Sequence, residues 1–209
     1  MQKFLRQKIM LLFLLLLPFS VLADTATQQL GRILDNLHSM QAQFVQTVSD
    51  GHGQIMQQSS GEMALARPGK FRWDTKTPSH QLLIADGQQI WFYDKDLQQV
   101  TLQNQHATRA DSPALLLDGS TVSLTKDFKV SKRLASGSLQ IFKLTPRKAD
   151  GLFQNVYLSF KQNQLQQMRL IDNLGQETLI NFSRVSLNPA LNSNLFRFVP
   201  PKGVDVVTQ

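Results

Sequence analysis

The sequence contains no cysteine. That single absence removes disulfides, thiolate nucleophiles, zinc–thiolate sites and iron–sulfur ligands together. Histidine is scarce as well. His38, His52, His80 and His106 are the only four, and no two stand at the i, i+2 or i, i+4 spacing that sets a ligand pair on one face. There is no Gly-x-Ser-x-Gly elbow and no phosphate-cradling glycine loop. Ser79 beside His80 is adjacency, whereas a triad needs convergence in space. Asp86, Asp94 and Asp96 fall at turns, where local side-chain-to-backbone bonding accounts for them. The inventory thus argues against an enzyme and implies no metal and no cofactor. Basic residues interleaved with stacking aromatics are also missing, which disfavours nucleic-acid binding.

Long apolar runs are limited to one. Ile9 to Leu17 is nine residues and ends at Pro18, well short of the roughly 20 that cross a bilayer as a helix. With Lys3, Arg6 and Lys8 before it and Val21-Leu22-Ala23 after it, residues 1–23 read as a secretory signal peptide. Residues 24–209 then form one domain in an extracytoplasmic compartment, most simply a periplasm. No cysteine follows the cleavage point, so lipidation there is excluded and a soluble protein is expected. The full chain carries 22 Lys+Arg against 15 Asp+Glu; without the three basic residues of the leader the net charge is +4. Basic clusters remain at Lys126, Lys129, Lys132 and Arg133, and at Lys143, Arg147 and Lys148. They read either as solvated strand faces or as surfaces attractive to an anionic membrane or acidic partner.

An apolar fraction of 42% with 18% charged residues is enough to build a core. Leu30, Ile33, Leu34 and Leu37 recur at helical spacing, with Asp24 or Thr25 as a cap. The period then becomes two. Met40, Ala42, Phe44 and Val48 fall on one face of a strand. Further strands are expected at 54–65, 70–74, 81–85, 89–94 and 98–102, with Asp86-Gly87 as a hairpin turn. Ser112-Pro113 opens and Gly119 stops a short apolar helix over Pro113 to Leu117. Strands resume at 128–134, 138–145, 155–160, 164–172, 177–185 and 196–199. About ten or eleven strands with only short helices suggest an antiparallel barrel or strongly curved sheet. Its concave side is either ordinary core or a cavity, with Met40, Met56, Met63 and Met168 available as adaptable lining.

Three blocks and the chain's end are more specific. Arg67-Pro68-Gly69-Lys70-Phe71-Arg72-Trp73 precedes Gln81-Leu82-Leu83-Ile84-Ala85-Asp86-Gly87 and Ile90-Trp91-Phe92-Tyr93-Asp94, and the chain ends Phe198-Val199-Pro200-Pro201-Lys202-Gly203-Val204-Asp205. In this order they closely resemble the LolA family of periplasmic outer-membrane lipoprotein carriers, from about Gln29 onward. The resemblance implies a mainly β, single-domain, incomplete (open) antiparallel β-barrel with helices forming a lid over a hydrophobic cavity. It implies that Arg67 holds the lid through helix backbone, a task suited to a permanently charged fork of five donors. It places Phe71 where cargo is received, with Trp73 on the same face by alternation. Leu83 matches a cavity position, and Leu115 and Leu116 a lid helix able to touch acyl chains. The implied role is a monomeric carrier that takes acylated lipoproteins from an inner-membrane, ATP-driven LolCDE complex and yields them to the outer-membrane receptor LolB. The 104–110 and 187–195 stretches carry no motif of the family.

Overall fold

The computed structural model describes residues 25–105, 117, 121–135, 138–148 and 152–208. The expected leader, Leu115 and Leu116 lie outside the described residues, as does all of the expected middle helix except Leu117.

Thr25 starts the first helix, α1 (Ala26–Asp35). Its hydroxyl accepts from the Gln28 backbone N–H at 3.2 Å, and the Gln28 side chain accepts from the Thr25 N–H at 2.9 Å. This reciprocal cap fixes the helix start. Leu30 and Leu34 are fully buried and Ile33 is packed beside them, so the sequence periodicity becomes the inward stripe of the helix.

Eleven strands follow in two meanders. The first comprises β1 (Ser39–Ser49), β2 (Ile55–Ala66), β3 (Lys70–Thr77), β4 (Gln81–Asp86), β5 (Gln89–Asp94) and β6 (Gln99–Asn104). The second comprises β7 (Phe128–Leu134), β8 (Leu139–Pro146), β9 (Phe153–Lys161), β10 (Gln164–Asp172) and β11 (Glu177–Leu187). Side-chain turns punctuate them. Asp86 Oδ1 accepts from the Gln88 and Gln89 N–H groups at 2.9 and 2.8 Å, and Gly87 supplies the required positive φ of 105°. Asp50 and Asp172 close their turns in the same way.

The meanders join where β1 pairs with β11, and a short strand, β12 (Asp205–Thr208), adds beyond β6. The order is β12-β6-β5-β4-β3-β2-β1-β11-β10-β9-β8-β7, leaving β12 and β7 as the two edges. All pairings are antiparallel except β12 with β6. The sheet is therefore open, as expected, but one edge is parallel.

The sheet curls around α1, and the helix itself proves it. Arg67, just past β2, bonds the Leu34 carbonyl, while Lys132 on β7 bonds the Gln29 side chain. Five strands lie between β2 and β7, so a flat sheet would hold them roughly 30 Å apart at about 4.8 Å per strand. Gln29 and Leu34 are only about 7.5 Å apart along a helix axis. Only a rolled sheet brings both strands to one short helix. A single core results, from α1 across β1–β5 and β8–β11.

Three expectations need correction. A second helix, α2 (Thr121–Asp127), packs against α1 and β7. Thr121, Val122 and Thr125 are poor helix formers, which is why the sequence does not announce it; tertiary contact sustains it. The expected strand at 196–199 is instead a 3-10 turn, Ser193–Phe196, followed by extended chain. Phe196 and Phe198 alternate like strand residues, but Pro200 and Pro201 have no N–H to give a ladder. The segment lies as a strap over the outer face of β3–β6. Phe196 is buried there, and the Phe198 ring sits 5.7 Å from Trp91 and 5.6 Å from Tyr93. Finally, Met56 is 63% exposed, so it lines nothing, whereas Met40, Met63 and Met168 are buried.

Candidate ligand-binding cavity

The concave face is built from alternation. On β3, Phe71 and Trp73 point inward while Arg72 and Asp74 form the outer row. Phe71 is buried in the core. The Trp73 ring stacks on Phe44 of β1 with centroids 3.8 Å apart, lies 5.9 Å from Phe71 and meets Phe182 of β11 edge-on at 6.4 Å. These four rings line the inner wall across the joint between the two meanders. Leu83 of β4 sits on the same face. It borders a cavity of about 330 Å³ with Ile90, Phe92, Thr101 and Gln103, residues that register side by side on β4, β5 and β6. A second, larger cavity of about 580 Å³ lies between α1 and the sheet. Ile33, Met40, Phe160 and Leu165 supply its apolar lining, and Arg32 and Lys132 its cations.

Beside the larger cavity α1 closes the core, held at both ends. At its last turn the Arg67 guanidinium donates to the Leu34 carbonyl, and the Arg67 backbone N–H donates to His38 O at 2.8 Å. That carbonyl already accepts from the Leu37 N–H at 3.0 Å, and the guanidinium takes its second lone pair with a charge-assisted bond. At its first turn Lys132 Nζ donates to Gln29 Oε1 at 2.6 Å, while resting 5.5 Å from the Phe142 ring centroid. Where α1 turns into β1, Asn188 Oδ1 accepts from the His38 and Ser39 N–H groups at 2.8 and 3.2 Å, and its Nδ2 donates to Asn36 O at 3.0 Å. The helix is therefore docked by side chains rather than woven into the sheet.

Among the described residues, no group of three or more His, Asp or Glu stands close enough to hold a metal ion. A buried carboxylate cluster lies on the outer face. Asp74 accepts from Arg72 Nη2 at 2.9 Å, lies 3.0 Å from His80 Nε2 and 3.4 Å from Lys76 Nζ. Burial pushes its carboxyl up, but the bonds from Arg72 and His80 and the charge of Lys76 outweigh this and hold it below its ordinary value. Arg72 also reaches the Leu195 carbonyl at 3.4 Å. This network therefore ties the strap to β3.

A family model described as outer membrane lipoprotein carrier protein LolA matches residues 35–199. The chain belongs to the LolA family. It is 43% identical over 202 residues to an outer-membrane lipoprotein carrier protein of Legionella pneumophila (strain Corby), covering 97% of this chain and 99% of that one. To the protein of the same description from Azotobacter vinelandii it is 40% identical over 186 residues, 89% of each chain. Among solved structures, an uncharacterized conserved protein from Thermus thermophilus shares the fold, with a TM-score of 0.53 at 16% identity over 87% of this chain and all of that one.

On this LolA-family fold Arg67, Phe71, Trp73 and Leu83 converge on the concave side. Leu117, the described end of the expected middle helix, is buried in the same core. Sequence reasoning missed Lys132. It groups there with Lys126, Lys129 and Arg133 in one basic cluster, yet it follows Phe128 and Val130 on their inward alternation. A lysine in phase with apolar residues is the available signal. Phe92 and Ile90 were also missed, although they share the face of Leu83 across the hairpin. Asn188 carries no signal beyond its type. It adopts φ 55°, a left-handed conformation that Asn tolerates.

Proposed function

We propose that this chain is a periplasmic lipoprotein carrier that shields acyl chains on its concave face beneath α1, a lid latched by Arg67. The observation that carries the reading is the attachment of α1: side chains tie it down at both ends beside an inner wall of stacked aromatic rings. Phe71, Trp73 and Leu83 belong to the floor of the concave face, and Leu115 and Leu116 belong to the lid by family resemblance. Residues 1–23 direct export and are removed. Loading comes from an inner-membrane LolCDE-type ATP-driven complex and unloading goes to an outer-membrane LolB-type receptor. The carrier works as a monomer, without turnover and without a cofactor.

Magnitudes support a gated host. Burying a three-chain anchor of roughly 40 methylenes is worth on the order of 30 kcal/mol at about 0.8 kcal/mol each. Practical noncovalent affinity ends near about 20 kcal/mol, so a host that captured the whole gain would never release. The latched state is thus a competitor of the loaded one, and the cost of unlatching is subtracted from cargo affinity. Energised loading followed by downhill transfer matches that balance.

Arg67→Leu tests the latch. Mature protein and variant are purified from the periplasm and weighed by native mass spectrometry. The variant is expected to retain acylated lipoprotein that the parent has passed on. Equal occupancy and equal delivery to a receptor would remove Arg67 from the gate, and free lipid or glycolipid in place of lipoprotein would make this a carrier of another amphiphile. Phe71→Glu tests the floor. A carboxylate there is costly to desolvate, so loading in a reconstituted release assay should fail while circular dichroism remains that of the parent; unaltered loading would place Phe71 outside the cargo path.

A further inference from the structure

Charge is divided unevenly along this chain. Residues 121–172 hold nine Lys/Arg and three Asp/Glu, whereas the rest of 24–209 holds ten and twelve. The fold gathers the positive stretch into one wall, because 121–172 comprises α2 and β7–β10, four adjacent strands at one end of the sheet. Strands β7, β8 and β9 carry five Lys/Arg and no Asp or Glu at all. Ordinary solvent-facing strands mix the two signs. Here one sign is alone.

Alternation decides where those cations point. Val130, Phe142, Leu144, Leu158 and Met168 belong to the core or pack on it, so Lys129, Arg133, Lys143 and Arg169 occupy the opposite, convex face. Lys129 and Arg133 are exposed. In the middle of the wall Lys143, Tyr157 and Arg169 lie in one cross-strand row. The Lys143 ammonium is 5.8 Å and the Arg169 guanidinium 5.1 Å from the Tyr157 ring centroid; Arg169 Nη2 is also ion-paired with Glu177 Oε2 of β11 at 2.8 Å, so the face's net charge comes from Lys129, Arg133 and Lys143. A ring between two cations holds both in place, at the cost of side-chain freedom that a purely solvating surface has no reason to give up.

We propose that the convex face of β7–β10 docks an acidic surface of a partner protein. Charge complementarity names the partner's chemistry, and two features select a protein over an anionic lipid surface. None of the exposed large apolar side chains of the described residues lies on this face. Ile55 and Met56 are elsewhere, and Leu152 and Leu174 sit in the turns at its border rather than among its cations, so the face itself has no exposed large apolar side chain to insert between headgroups. The face is also convex, and its cations fan out across four strands. A concave, acid-lined protein surface meets all of them at once; a flat membrane meets only the crest. Docking here leaves the concave side and α1 free, and its effect falls chiefly on association rate and salt dependence.

The test uses the unloaded protein, so its outcome is independent of whether the concave face carries lipid. Binding to a poly-glutamate peptide, and to vesicles of phosphatidylethanolamine and phosphatidylglycerol at roughly three parts to one, is measured at low and at high salt. The parent is compared with Lys129→Glu/Arg133→Glu/Lys143→Glu and with an equal charge change elsewhere, Lys95→Glu/Arg197→Glu/Lys202→Glu. Matching urea midpoints establish that both variants fold; should the first variant fold poorly, the Gln versions of the same three positions replace it. The expected result is peptide binding weakened about tenfold or more by the first variant and less than about twofold by the second, with the difference erased at high salt. Equal losses in both variants would reduce the effect to net charge and overturn the assignment. Tight vesicle binding with little peptide binding would overturn it in favour of a membrane.

Discussion

Gly61 illustrates how little room the inner wall leaves. It sits on β2 opposite Phe44, at a register shift against β3. A Cβ placed there would lie 2.0 Å from the Asp74 carbonyl oxygen and 2.9 Å from Phe44 Cζ. Backbone of a central strand cannot retreat by that much, and the Phe44 ring is itself pinned on Trp73. Gly61→Ala is therefore expected to destabilise the protein by more than the usual overpacking cost of about 1–3 kcal/mol, read as a lower urea midpoint. A midpoint equal to the parent's would mean that β2 and β3 are not held at this spacing. Asp74 predicts a pH dependence. Its carboxyl is held below the ordinary value of 3.8 in the folded chain, so the stabilisation is fully present above that pH and is lost as pH falls through the folded value. Asp74→Asn should lower the urea midpoint at pH 7, and the gap from the parent should close in strong acid. A gap of constant size down to pH about 2 would show that the carboxylate's charge plays no part.

At the scale of elements, α1 has two attachments that can be separated. Arg67 acts on its last turn and Lys132 on its first. In Lys132→Met the hydrogen bond is gone while the apolar stem is kept, so hydrogen exchange should quicken for the first-turn amides of α1 and stay unchanged around Asp35 to Leu37. The opposite gradient is expected for Arg67→Leu. Uniform quickening in both would make α1 a single cooperative unit with no separate ends. How legible these parts were differs for physical reasons. The α1 stripe and the eleven meander strands follow from local periodicity and turn chemistry, and each fell where those signals placed it. The strap, α2 and β12 did not, because each exists through contacts distant in sequence: Phe198 reaches back to Trp91 and Tyr93, and Val206 pairs with Val100. Arg67, Phe71, Trp73 and Leu83 were legible through a family motif and through alternation. The second attachment of α1, Lys132, needs knowledge that β7 rolls round to meet the helix.

As a whole molecule the protein is two walls of different character around one core. One wall, β3–β6, is covered outside by the strap and borders a cavity inside; the other, β7–β10, presents Lys129 and Arg133 to solvent. The walls meet along β1 and β11, and that joint has a consequence for how the chain is made. Each meander assembles from neighbours in sequence, but β1 waits for a partner that begins at Glu177. Contacts of such separation form slowly, since chain entropy is spent before they repay it. A nascent chain that has produced β1–β6 and no more displays an unpaired strand edge beside the aromatic inner wall of Phe44, Phe71 and Trp73. Until its last long strand arrives, a protein organised to cover the apolar surface of others has nothing to cover its own.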